Sequence, residues 1–210
     1  MKARIAISLL AGLGLLSGAQ SARAKEPSGA KLLTPFGESV SVGGGVVNFV
    51  GDAAKNLTDV GGYWDVRLAF GTRTPFGIEA AYIGAAQNVT AVGMSNAFLV
   101  RNGMEANARI NIPLVLRSNH VLEPFVLGGV GFARYNLNFD GINRSVMQVE
   151  NDNVLVLPVG AGVAWSFHNF MVDGRFTYRP TFDDDLLRTA TNTSQGLENW
   201  SAGLLFGYEY

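Results

Sequence analysis

The chain reads as an all-β protein: an eight-stranded antiparallel up-and-down transmembrane β-barrel, preceded by a cleavable signal peptide. Three observations predict it. The N-terminus passes from basic to apolar to small residues, a hydrophobic period of two recurs along the rest of the chain, and the connections alternate between short and long.

Met1, Lys2, Ala3 and Arg4 make a basic start, Ile5 to Leu16 an apolar stretch of 12 residues, and Ala22-Arg23-Ala24 a small-x-small cleavage pattern. Twelve apolar residues fall short of the roughly 20 a spanning helix needs. Residues 1–24 therefore read as a signal peptide, 25–38 as a short periplasmic lead-in and 39–210 as the barrel. Removing the first 24 leaves 13 basic and 17 acidic residues, a formal charge of −4, which speaks against a basic nucleic-acid binder. The whole chain is 48% hydrophobic and only 16% charged, against roughly 25% in soluble domains. It has no Cys, hence no disulfide framework and no thiolate metal site.

Alternation is clearest in four stretches. Met104, Ala106, Ala108, Ile110, Ile112 and Leu114 face one way, with Glu105, Asn107, Arg109, Asn111 and Pro113 facing the other. Val172, Phe176, Tyr178 and Phe182 oppose Asp173, Arg175, Thr177 and Arg179. Trp200, Ala202, Leu204, Phe206, Tyr208 and Tyr210 oppose Ser201, Gly203, Leu205, Gly207 and Glu209. Trp64, Val66, Leu68 and Phe70 oppose Asp65, Arg67 and Ala69. Extended along the chain, the pattern gives strands near 39–50, 63–73, 76–86, 99–116, 121–139, 153–167, 170–182 and 198–210.

Two of these are mixed. In 39–50 neither parity is consistently apolar, and the Gly43-Gly44-Gly45 run offers a bulge that would switch faces midway. In 121–139 the outer half sets Ala133, Tyr135, Leu137 and Phe139 opposite Arg134, Asn136 and Asn138, while Val126 to Phe132 is apolar on both sides. Thr74-Pro75, Ser118-Asn119-His120 and His168-Asn169 mark tight turns, and 51–62, 87–98, 140–152 and 183–197 are longer and polar. Short turns at the periplasmic end and long loops outside are the asymmetry of a membrane barrel.

A soluble barrel would alternate too, with its apolar face turned inward. The aromatics separate the two. Trp64, Tyr82, Tyr135, Phe139, Phe182 and Trp200 lie near the outer strand ends, and Phe70, Phe125, Trp165, Phe167, Tyr208 and Tyr210 near the inner ends, all on the apolar parity. Two belts flanking an apolar band match the two interfaces of a bilayer.

The opposite parity gives the candidate site, an ion network in the lumen. It sets Asp65, Glu79, Glu105, Asp173 and Glu209 against Arg67, Arg109, Arg134, Arg175 and Arg179. An eight-stranded barrel is only wide enough inside for side chains to fill, so these charges are expected to pair as a polar plug; a gated ion path is the alternative.

This pattern of strands and ends resembles the small outer-membrane barrels related to the OmpA transmembrane domain, OmpX and OmpW. The most specific part is Leu204-Leu205-Phe206-Gly207-Tyr208-Glu209-Tyr210. Leu204, Phe206, Tyr208 and Tyr210 look like the family's C-terminal assembly signal, which usually ends in Phe and is read by the barrel-assembly machinery. The resemblance implies a porin-like cell-envelope protein in the outer membrane of a Gram-negative bacterium, monomeric, in contact with outer-membrane lipids and lipopolysaccharide.

Catalysis is not expected. Enzymes of this architecture would need a His with Ser and an acid at the outer leaflet, whereas His120 and His168 fall in periplasmic turns. Asp183, Asp184 and Asp185 open a long loop, but adjacent acids do not converge as spaced cation ligands do, and they read as solvated. No metal site, cofactor or nucleic-acid partner is expected. The sequence thus points to a structural or surface-interaction barrel acting through four outer loops, with a small pore or conduit for ions or small hydrophobic solutes as the alternative.

Overall fold

In a computed structural model, which describes residues 37–90, 97–117, 120–139, 152–182 and 197–210, eight antiparallel strands close into a barrel. The expected signal peptide and the Asp183-Asp184-Asp185 run lie outside the described residues.

The strands are β1 (Glu38–Phe49), β2 (Gly61–Phe70), β3 (Phe76–Val89), β4 (Ala97–Asn111 and Leu114–Arg117), β5 (His120–Phe139), β6 (Asp152–Val156 and Val159–Phe167), β7 (Phe170–Arg179 and Thr181–Phe182) and β8 (Asn199–Glu209). Each interruption contains a proline: Pro113 in β4, Pro158 in β6, Pro180 in β7. Proline has no N–H to give to a ladder, so pairing lapses there. Its carbonyl still accepts: Gly129 N–H donates to Pro158 O at 2.9 Å and Leu157 N–H to Pro180 O at 3.1 Å, which carries the wall past the gaps.

Each strand pairs with its sequence neighbours, and β1 pairs with β8 from Ser39 opposite Glu209 to Phe49 opposite Asn199. Closure leaves no edge strand, the condition under which a sheet can sit in hydrocarbon. The short turns and both ends of the described barrel lie at one end, here the turn end. At the other, the loop end, the β1–β2 connection is described. Where the sequence suggests only a polar loop, it contains a short helix, α1 (Asp52–Leu57), whose Ala54 is buried in the barrel mouth. Thr58 Oγ donates to Ala54 O at 2.8 Å and Thr90 N–H to Leu57 O at 2.8 Å, fixing α1 to the wall.

The outward face is apolar. Phe76 is 74% exposed and Phe170 68%, with Val42, Val66, Met104, Ile110, Val130, Phe132, Val163, Phe176 and Phe206 also exposed, while Asp65, Arg67, Glu79, Asp173 and Arg179 are buried within. Charges inside and large apolar side chains outside invert the soluble arrangement, and an apolar medium is needed to cover that exterior. No helix among the described residues is long and apolar enough to cross a membrane; the wall is made of strands.

Two expectations about faces are overturned. β1 contains no bulge: its register against β2 and β8 runs unbroken through Gly43, Gly44 and Gly45. Its odd positions face inward throughout, and Val47 and Phe49 are apolar there because that part of the interior is itself apolar. β5 is turned the other way from the sequence reading of its outer half. Ala133 and Tyr135 are buried inside, and Arg134 is exposed on the outer face. Val126, Val130 and Phe132 share its parity and are exposed apolar residues, so Arg134 is carried out with them, while the opposite parity, richer in apolar residues, fills an interior that is itself apolar at these levels. Phe125 likewise leaves the inner aromatic belt for the interior, where it is 4% exposed.

Candidate functional site

The barrel interior is built in two halves. At the loop end it is apolar: Phe49, Ala54, Ala133, Tyr135, Val154, Val156 and Leu197 form one buried cluster, and Val47, Tyr63, Ala81, Ile83 and Ala85 another. Towards the turn end it is mainly ionic, with a smaller apolar cluster of Phe125, Leu127, Ala164 and Met171 among the charges. Alternation explains how the strands deliver the charges, since residues two apart on one strand share a face. Asp65 and Arg67 come from β2, Glu79 from β3, Arg101, Glu105 and Arg109 from β4, Glu123 from β5, Asp173, Arg175 and Arg179 from β7, and Glu209 from β8.

Glu79 is the hub. It receives Arg67 of β2, Arg109 of β4 at 3.4 Å and Arg175 of β7 at 3.1 Å, and Asn107 Nδ2 donates to it at 3.3 Å. Arg67 also holds Asp65 at 2.5 Å, and Arg175 holds Asp173, to which its Nε donates at 3.1 Å. Arg109 spreads furthest, reaching Glu123 at 3.1 Å and Asp173 at 3.8 Å and donating from Nε to Asn111 Oδ1 at 3.1 Å. Nearer the loop end a second centre forms on Glu105, which takes Arg179 at 2.6 Å and Arg101 at 3.4 Å; Arg179 also donates to Ser201 Oγ at 2.6 Å. At the turn end, Glu209 accepts from Thr72 Oγ at 2.5 Å and pairs with Arg73 at 2.8 Å.

Charges removed from water cost several kcal/mol each unless paired and hydrogen-bonded. Here each carboxylate named meets at least one guanidinium or hydroxyl, and Arg supplies every cation. A guanidinium is planar and carries five donors, so one group can serve acids on two or three strands at once.

Phe125 is the plate in this network. Arg109 lies over its ring at 3.8 Å from the centroid and Arg175 at 5.2 Å, contacts that favour cations on the ring face. The ring fits because Gly162 of β6 has no side chain: a Cβ there would overlap the edge of Phe125.

Of the residues the sequence assigns to the lumen, Asp65, Arg67, Glu79, Glu105, Arg109, Asp173, Arg175 and Arg179 lie together inside, and Arg134 does not. The network also holds Arg101, Glu123 and Phe125, which the sequence reading left out. Arg101 was detectable, since it continues the Glu105, Asn107, Arg109 parity by two steps. Glu123 shares a parity with Phe125 and Leu127, and its charge was the sign that this parity faces the lumen. The four terminal residues Leu204, Phe206, Tyr208 and Tyr210 all face outward, with the Tyr208 and Tyr210 rings 5.1 Å apart.

The two histidines lie at the turn end, apart from the network. His120 stacks on Phe167 at 4.6 Å and on Trp165 at 5.8 Å, and His168 meets Phe167 edge-on at 4.2 Å from the tight turn, where its φ is 55°. That left-handed conformation is uncommon outside glycine but better tolerated by His than by bulky residues.

The chain matches no family model and no curated protein significantly. Among solved structures its fold is similar to that of neisserial surface protein A, at 10% identity over 84% of this chain and 98% of that one, with a TM-score of 0.52. It is similar also to Ail, the attachment invasion locus protein of Yersinia pestis, solved in complex with the heparin analogue sucrose octasulfate, at 15% identity over 83% of this chain and 99% of that one, with a TM-score of 0.50. The outer membrane enzyme PagL aligns at 14% identity over 80% of this chain and 97% of its own, with a TM-score of 0.41. At such identities the likeness establishes the fold: a closed eight-stranded barrel of the outer-membrane type.

Proposed function

We propose that the chain is an integral barrel of the outer membrane of a Gram-negative bacterium, with a filled lumen, serving as a structural or surface-interaction protein through its loop-end connections. The filled lumen carries this reading. An eight-stranded barrel has room inside for side chains only, and here the ionic part is cross-paired while the apolar clusters towards the loop end offer a hydrated ion little in exchange for its water. With the interior occupied, what is left to meet a partner is the set of connections raised on a rigid wall, the usual place for binding residues. Ail, an attachment protein by name, shares this fold, in keeping with such a role.

Two further contacts belong to the reading. Membrane lipids cover the apolar exterior. The barrel-assembly machinery recognises the outward row Leu204, Phe206, Tyr208 and Tyr210, and the assembled chain is a monomer.

Planar-bilayer conductance of the refolded protein tests the proposal. A filled lumen gives no unitary steps above the leak of the bare bilayer. Reproducible open-channel steps would reject it in favour of a small conduit for ions or apolar solutes.

A further inference from the structure

We propose that the outer face of β4, β5 and β6 carries a binding site for the phosphate-bearing headgroup of a membrane lipid, with Arg134 as its anion-binding group. The proposal rests on the membrane-barrel reading and names one lipid contact within it.

The register of the sheet places the groups. One cross-strand row runs Trp64, Gly84, Asn102, Arg134, Asn153 from β2 to β6. These positions share the outward face; Trp64, Arg134 and Asn153 are exposed and Asn102 partly so. Two residues nearer the turn end, the next outward row is Val66, Tyr82, Met104, Phe132, Leu155, Phe182, every one apolar or aromatic and 41–54% exposed. Along β5 and β6 the outward face therefore passes from apolar to polar between these rows, while β4 turns apolar again beyond Asn102 at Val100 and Phe98. Trp64 and Tyr82 stand in these two rows on β2 and β3: their rings lie 5.2 Å apart, and the indole crosses Gly84 so closely that a Cβ there would overlap it. Amphipathic aromatic rings gather at such interfaces.

Arg134 stands on this boundary with amides on either side, Asn102 and Asn153, and Asn136 two residues further along β5. The row carries no acid. A guanidinium binds phosphate with two parallel hydrogen bonds, and flanking amides add neutral donors. At a water-poor boundary such bonds count for more than in bulk solvent. The occupant is a lipid and not free phosphate because Met104, Phe132 and Leu155, directly below, offer acyl chains the contact that a phosphate ion could not use.

The experiment titrates the refolded protein in neutral detergent with diphosphoryl lipid A and counts adducts by native mass spectrometry. The folded state is read separately from unboiled gel mobility, so loss of the barrel is distinguishable from loss of the lipid. Wild type should retain one lipid through repeated dilution, and Arg134→Ala should weaken binding about tenfold. Arg134→Lys should fall between them, because an ammonium keeps the charge and loses the fork. Lys55→Ala, which removes a charge from exposed α1 at the same end, should bind as wild type does, and millimolar inorganic phosphate should not displace the lipid. Equal binding by wild type and Arg134→Ala, equal weakening by Lys55→Ala, or displacement by inorganic phosphate would each overturn the site.

Discussion

Glu79 of β3 and Arg175 of β7 meet at 3.1 Å although their strands stand four apart either way around the ring of eight. They are joined through the middle of the barrel, not along its wall. Glu79→Ala would leave Arg67, Arg109 and Arg175 short of a shared partner in the interior, and Arg175→Ala would strip Glu79 and Asp173 together. Each should lower the stability of the refolded barrel by about 3–5 kcal/mol, since a buried charge without its partner is the costly outcome. Lys55→Ala, at an exposed position, should stay within about 0.5 kcal/mol. Urea unfolding in detergent micelles, followed by tryptophan fluorescence, measures all three; equal effects would place Glu79 and Arg175 outside a lumen network.

Phe125 and Gly162 are coupled by volume. Gly162→Ala alone should cost about 1–3 kcal/mol through overpacking, and Phe125→Leu alone should also destabilise, by removing the plate beneath Arg109 and Arg175. Combined, the smaller side chain removes the ring from the path of the new methyl, though not the Gly174 carbonyl oxygen on its other side, so the double variant should be less destabilised than the sum by about 1 kcal/mol. A double-mutant cycle in the same unfolding assay checks this. Strict additivity would mean that the ring of Phe125 does not lie over Gly162.

Tyr210 is exposed on the outer face beside Tyr208, its backbone N–H donating to Glu38 O at 2.8 Å. Because the proposed assembly signal acts before folding, Tyr210→Phe should reach the membrane normally, whereas its deletion or Tyr210→Asp should leave protease-sensitive chain in the periplasm. The same deleted chain should still refold in detergent, where no machinery reads it, and run differently boiled and unboiled. Normal membrane assembly of the deletion variant in cells would show that the terminus is not read.

Strand alternation was legible wherever lumen and exterior differ in polarity. Asp65 and Arg67 against Trp64 and Val66, or Asp173, Arg175 and Arg179 against Val172 and Phe176, declare their faces at once. The reading failed where both faces are apolar. Val47 and Phe49 in β1, and Phe125, Leu127, Ala133 and Tyr135 in β5, are interior apolar residues beside exterior ones, so the period of two leaves no contrast. The apolar clusters of the lumen thus hid themselves, and in β5 they drew Arg134 to the wrong face. Helix α1 was hidden for another reason: its six residues are too few to show a helical period, and its burial comes from Ala54 meeting side chains distant in sequence.

The β1–β8 pairing joins the two ends of the described barrel over eleven residue pairs, so in the finished wall no strand is first or last. The molecule is a hoop and not a ribbon. To pull one strand free, two ladders must part at once, and tension on any strand is shared around the circumference in both directions. A chain that stops before β8 is accordingly not a slightly weaker barrel but a curled sheet with two bare margins, both exposed to whatever strand lies nearest.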